Sequence, residues 1–164
     1  MAERGLIVSN TTPIINFAEI GRLDVLEALF GKVVIPPAVM NELIAKRSLF
    51  PKAAEAASRF EVVHPRSHLL VRGLQSAIHA GEAECLALAM ENSGSLLIID
   101  DLQARAMASS NGLLFTGTLG CLVEAKARGM IHELAPMIEI LRLSARFWIS
   151  PELEMRVLSD AGQS

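Results

Sequence analysis

Ser95-Leu96-Leu97-Ile98-Ile99-Asp100-Asp101-Leu102-Gln103-Ala104-Arg105 is the stretch that decides the fold. Its apolar run, Leu96 to Ile99, ends on two β-branched residues. Such a run reads as a short strand buried on both faces, the habit of a parallel sheet. The run stops on two adjacent carboxylates. Asp is a poor strand residue and a good helix N-cap, so the strand ends there and a helix is expected from Leu102 to Ser110. In an open parallel sheet, ligands bind beyond the carboxyl ends of the strands. Two acids at such an end are either a cap with a solvated neighbour or part of a site, and the rest of the chain has to decide.

The same strand-then-helix grammar recurs on both sides of this stretch. Leu6-Ile7-Val8 is a strand running into Ser9-Asn10-Thr11-Thr12-Pro13, where Thr12 fits an N-cap and Pro13 a first helical position. Ile14, Ile15, Phe17, Ala18 and Ile20 follow with helical spacing up to Gly21. Arg22 to Phe30 reads as a second helix, with Gly31 just past its end. Lys32 to Ile35 is a strand, and Pro36-Pro37 opens a helix from Ala38 to Lys46 with Glu42 at the edge of its apolar stripe. An Ala-rich helix, Pro51 to Arg59, leads to a strand from Phe60 that Pro65 stops. A weak helix (Leu69 to Ile78) and a strong one (Ala80 to Met90) come next. Glu82 and Glu84 sit in the first turn of the strong helix, where the macrodipole favours acids. Leu113-Leu114-Phe115 is a strand closing on Thr116-Gly117-Thr118, followed by helices over Leu119 to Arg128, Glu133 to Phe147 and Pro151 to Leu158.

Strands alternating with helices specify an α/β fold with a mostly parallel central sheet, joined by right-handed connections. The strand ends that open into helices then share one edge. That edge carries Asn10, Thr11, Thr12, Asp100, Asp101, Thr116 and Thr118, and the neighbouring helix starts add Glu42, Glu82 and Glu84. At 164 residues the chain is expected to form one domain over 1–164, with a core over about 6–130 and C-terminal helices over 133–160.

Composition narrows the function. A net charge of −3 and a pI near 5.8 argue against holding nucleic acid by a broad basic surface, but leave room for contact through a metal. The absence of tyrosine and an aromatic content of 4% argue against a base-stacking platform. Cys85 and Cys121 lie far apart among apolar neighbours and are expected as buried free thiols. The start of the chain shows no secretion signal, and no apolar run approaches the ~18 residues of a membrane span. A cytoplasmic location is the expectation. The four histidines show no ligand spacing, and no Walker loop, dinucleotide fingerprint or nucleophile elbow is present. Ile98 to Asp101 also looks like the acidic pair of a phosphoacceptor receiver. That fold needs a further Asp and a Lys on later strand ends, and only Phe115-Thr116 follows.

Carboxylates converging with hydroxyls and an amide form an oxygen-only site, suited to Mg²⁺ or Mn²⁺. Such ions orient and activate water for attack on a phosphodiester, with no separate protein nucleophile. Each acid also has a plain structural explanation: Glu82 and Glu84 answer the helix dipole, Asp101 caps a helix, and Glu42 faces solvent. Their gathering at one sheet edge favours function.

Taken in order, Val8-Ser9-Asn10-Thr11-Thr12-Pro13-Ile14-Ile15, Ile20-Gly21-Arg22-Leu23, Ile35 to Leu43, Ala80-Gly81-Glu82-Ala83-Glu84-Cys85, Leu97 to Asp101 and Thr116-Gly117-Thr118-Leu119-Gly120 form a pattern. It resembles the PIN-domain family, and within it small prokaryotic toxin nucleases of the VapC-like kind. The resemblance implies a three-layer α/β sandwich and Mg²⁺- or Mn²⁺-dependent cleavage of single-stranded RNA. It also implies the toxin role in a toxin–antitoxin pair, with a small antitoxin protein as partner. The alternative is a catalytically weak PIN-like module that binds RNA or a protein. By position, Glu42, Glu82 and Asp101 match the family's acids, with Asp100 as a catalytic neighbour. Asn10 with Glu42, Glu82 and Asp101 would hold the metal; Thr11, Thr12, Glu84, Thr116 and Thr118 would support it. Asn10 departs from the usual Asp and brings no charge. The apolar stretch Met137 to Leu143 with Phe147-Trp148-Ile149 exceeds what a solvated terminal helix needs, and a homodimer is expected through it.

Overall fold

Alternate side chains of the apolar runs go to opposite faces of one sheet. In the computed structural model, which describes residues 5–145 and 147–162, Leu97 and Ile99 join one apolar cluster while Ile98 joins another. Val34 and Val33 divide in the same way. This period-two alternation with both faces buried is what a central parallel strand requires.

The strands are β1 (Ile7–Ser9), β2 (Val33–Ile35), β3 (Glu61–Val62), β4 (Leu96–Ile98) and β5 (Leu114–Thr116). They lie in the order β3-β2-β1-β4-β5, and every pairing is parallel. The register sets Val8 beside Val34 and Leu97, and Ile98 beside Thr116. The sheet is thus wholly parallel rather than mostly so. β3 is shorter than the run from Phe60 suggested, because it is an edge strand with Glu61 exposed and Pro65 close behind.

Helices cover both faces. One face receives residues of α3 (Pro37–Ala45), α4 (Pro51–Ala56), α5 (His68–Leu74), α6 (Ala80–Glu91) and α7 (Leu102–Ser110). The other receives α2 (Asp24–Phe30), α8 (Thr118–Ala127), α9 (Ala135–Ser144) and α10 (Pro151–Asp160). α1 (Thr11–Glu19) leaves the central strand and serves both, with Ile14 in one cluster and Phe17 in the other. The three-layer α/β/α architecture follows.

Several boundaries move for local reasons. α1 starts at Thr11, so Asn10, not Thr12, holds the cap position. Pro13 is its third residue, where the missing N–H is one of the orphan donors of the first turn anyway. α5 is cut to seven residues, its start fixed by Ser67 Oγ accepting from the Leu70 N–H. The segment from Pro51 is α4 plus a 3-10 turn over Ala57–Arg59. α9 is shorter than expected at both ends, and Pro136 lies in its first turn. Ile138, Leu141 and Ile149 complete the core, while Leu143 and Trp148 stand 75% and 81% exposed. Among the described residues no helix is long and apolar enough to cross a membrane.

Candidate active site

Because all strands run the same way, the segments that leave β1, β4 and β5 meet at one edge. They form two adjoining groups of polar side chains, divided between Asp100 and Asp101.

The first group surrounds Gly81. Asn10 continues the ladder beyond β1, its N–H donating to the Ile98 carbonyl at 3.0 Å. The residue is buried, and its Oδ1 has no hydrogen-bond partner. Thr11 Oγ1 donates to Glu42 Oε2 at 2.7 Å, and Lys46 Nζ approaches Glu42 Oε1 at 2.9 Å from one turn along α3. A Cβ on Gly81 would stand 3.1 Å from Asn10 Oδ1 and 3.2 Å from Glu42 Oε2, so a glycine here lets both oxygens approach the start of α6. The next residue, Glu82, is only 9% exposed, and its Oε2 is also buried without a partner. Burial raises the Glu82 pKa above the usual carboxylate range. The Asp101 charge raises it further, His79 opposes this, and Glu42 adds a smaller push upward. Asp101 is exposed, and its Oδ2 accepts the Ala104 N–H at 2.8 Å, capping α7.

The second group closes around Asp100. Its Oδ1 accepts the Thr118 N–H at 2.7 Å; its Oδ2 accepts Thr118 Oγ1 at 2.6 Å and Asn16 Nδ2 at 3.3 Å. Asn16 also donates to Thr118 Oγ1 at 2.9 Å. Burial raises the Asp100 pKa, while Thr118, the Arg105 charge and Asn16 draw it back down. Asp100 therefore ties β4 to α1 and α8 rather than facing the first group.

The expected supporting residues separate accordingly. Thr11 holds Glu42 and Thr118 holds Asp100. Thr116 Oγ1 lies over Gly120, where a Cβ would stand only 2.5 Å away. Thr12 is exposed. Glu84 does something else: its Oε2 accepts the Ala38 N–H at 2.7 Å and so satisfies the start of α3. Cys85 and Cys121 are buried free thiols, and burial pushes Cys121 up to about 12. Two further residues belong to this edge: Asn16, which no sequence motif singles out, and His79, one of the four histidines without ligand spacing. Asn16 is a polar residue inside the apolar run Ile14-Ile15-Asn16-Phe17, a signal that was there to read. His79 is the exposed cap residue of α6, three residues before Glu82, so the helix start itself brings the two side chains together.

The larger clefts, of 460 and 510 Å³, open beside Leu23 and Arg59, away from these acids. A smaller cleft of 310 Å³ between the end of α5 and the start of α7 includes Asp101 in its wall. A model of the PIN domain, DUF3368, matches residues 6–163. The chain belongs to the PIN-domain family. No curated protein matches it.

PIN domains are generally nucleases that use divalent metals, so phosphodiester hydrolysis is the coarse activity this membership supports. In this PIN domain the donor chemistry fits a hard cation: Asn10, Glu42, Glu82 and Asp101 offer only oxygens, and two of those oxygens are buried acceptors with nothing to accept. Among the described residues, no three Asp, Glu, His or Cys side chains stand close enough together to hold an ion between them.

Proposed function

We propose that this PIN domain is a single-strand endoribonuclease dependent on Mg²⁺ or Mn²⁺. The observation that carries the proposal is the pair of unpartnered buried oxygens, Asn10 Oδ1 and Glu82 Oε2, beside the acids Glu42 and Asp101. Unsatisfied buried acceptors are costly and call for a cation or a donor. A bound Mg²⁺ or Mn²⁺ would supply Lewis acidity and an activated water for in-line attack on phosphorus. Glu82, Glu42, Asp101 and the Asn10 amide would hold it. Thr11 keeps Glu42 turned toward Gly81. Asp100, saturated by Thr118 and Asn16, is a positioning residue that fixes where β4 delivers Asp101.

The finer setting rests on the likeness of the quoted motifs to VapC-like toxins: a cytoplasmic toxin, held by a small antitoxin and acting as a homodimer. Trp148 is the expected anchor of the dimer. A second reading, a weakly catalytic module that binds RNA or a protein, is favoured by one observation: Asn10 contributes no charge to the ion.

Purified protein with Mn²⁺ or Mg²⁺ should cleave a single-stranded RNA oligonucleotide, and a chelator should stop it. Asp101→Ala should lower cleavage at least ~100-fold, the loss of about 3 kcal/mol of barrier lowering. Wild-type cleavage by Asp101→Ala would overturn the site. Binding without metal-dependent cleavage by the parent would favour the second reading.

A further inference from the structure

Arg105 is the cation at this edge that the acid site leaves unexplained. It follows Asp101 by one turn of α7, its N–H donating to the Asp101 carbonyl at 2.9 Å, so the two residues share a helix face. Its guanidinium carbon lies 5.2 Å from the centre of the Phe115 ring. Its Nη2 is 3.5 Å from where a Cβ on Gly117 would stand, and the same point is 2.6 Å from Asp100 Oδ1. Despite two neighbouring aspartates, Arg105 makes no ion pair among the described residues. The Asp100 oxygens are already taken by Thr118 and Asn16, and Asp101 Oδ2 by Ala104. Arg105 Nε is buried with no acceptor.

A guanidinium held on an aromatic face keeps its planar fork oriented, and a buried N–H of a charged group needs an oxygen to meet it. Among the described residues none meets Nε. Phosphate is the oxyanion a guanidinium matches, and with Nε closed to solvent it is the Nη atoms, which are not among the buried unpartnered atoms, that would meet it. We propose that Arg105 is a phosphate-contacting residue, gripping a non-bridging oxygen of a phosphate of the bound single strand, beside Asp101. This rests on the nuclease reading and adds to it the one cation on the Asp101 face of α7. The acids and their ion handle the reacting phosphate, and Arg105 adds strand affinity beside them. A purely structural Arg105 would only pack on Phe115 and bias Asp100 toward its ionised form.

The test is the salt dependence of RNA binding, followed by fluorescence anisotropy of a labelled single-stranded RNA oligonucleotide in Mg²⁺ buffer. Glu82→Gln is the parent for every arm, so the strand stays whole. Arg105→Gln keeps the stem on Phe115 and removes the charge; Arg105→Lys keeps the charge and loses the fork. We expect Arg105→Gln to bind about tenfold more weakly at low salt. Its slope of log K against log salt should be shallower by about 0.7, one phosphate contact on a single strand. Arg105→Lys should keep the parent slope with intermediate affinity. A structural role can change the thermal midpoint but not the slope, so an unchanged slope in Arg105→Gln overturns the contact. Wild-type protein that neither binds nor cleaves the RNA overturns the nuclease reading and the contact with it; a parent that binds, with an unmoved Arg105→Gln, overturns Arg105 alone.

Discussion

Asp100 and Asp101 are neighbours in the chain, yet their surroundings differ at every point. Asp100 is enclosed by three donors from α1 and α8, which occupy both of its carboxylate oxygens. Asp101 is exposed, makes one capping bond, and keeps the rest of its carboxylate open toward Glu82 and the cleft beside His79. A strand that ends on two acids sends consecutive side chains to opposite sides, so one acid can join the scaffold while the other faces the solvent edge. Hydrogen-bond saturation separates the two roles better than identity or exposure does. Glu84 and Glu82 repeat the lesson two residues apart on α6: Glu84 is spent on the Ala38 N–H, and Glu82 has an oxygen with no partner among the described residues.

The largest expected effect tests that division through cleavage: Asp101→Ala should lose it, as set out above, while losing only about 1 kcal/mol of stability with the cap. Asp100→Ala should show the reverse emphasis. It orphans the Thr118 N–H and strips acceptors from Thr118 Oγ1 and Asn16, at a cost of about 2 kcal/mol. The thermal midpoint should fall by roughly 4–8 °C in a chain of this size. A midpoint unchanged in Asp100→Ala would erase the contrast between the two acids.

Next in size is metal affinity. Asn10→Asp adds a charge beside Glu42 and Glu82, worth up to ~4 kcal/mol to an ion ~4 Å away at an effective dielectric of about 20. Desolvation and repulsion leave a net on the order of 1 kcal/mol, five- to tenfold tighter Mn²⁺ binding by titration calorimetry. Equal or weaker binding would remove Asn10 from the ion's ligands.

The smallest effect sharpens the picture of Glu82. Its pKa is raised in the folded protein, chiefly by burial, so the native state holds a proton that the unfolded chain has already released. Stability of the metal-free protein should therefore fall as pH rises from the ordinary Glu range through the raised folded value. Glu82→Gln should flatten that fall and melt higher than the parent at pH 7 in chelator. Superimposable pH profiles for the two proteins would mean that the buried oxygen of Glu82 carries no strain of this kind.

The motifs that carried the family were legible because they are local. An apolar run ending in acids, a Pro opening a helix after β2, and a Gly before Glu82 are readable at short range, and α7 occurs over the very residues expected. The sequence places the first helix two residues late, because Thr-Pro imitates a cap that the backbone takes at Asn10. The node of Asn16, Asp100 and Thr118 was half visible: its threonine and aspartate were noted, but the side chain that links them comes from far earlier in the chain. Glu84 was grouped with Glu82 because spacing along a helix does not reveal which neighbour's N–H lies opposite.

By itself the sequence determined the alternation of short buried strands with helices, the parallel character of the sheet, the edge at which the polar strand ends gather, and the family. Periodicity, caps and breakers are properties of a few consecutive residues, and they act before any distant contact forms. The strand order β3-β2-β1-β4-β5 was left to the tertiary structure, and with it the meeting of Asn10, Glu42 and Gly81 from three separate segments. So was the choice of which acids are satisfied and which are left open. Those outcomes depend on which donors the packed layers place within reach of each side chain, and a carboxylate's role follows from the donors around it.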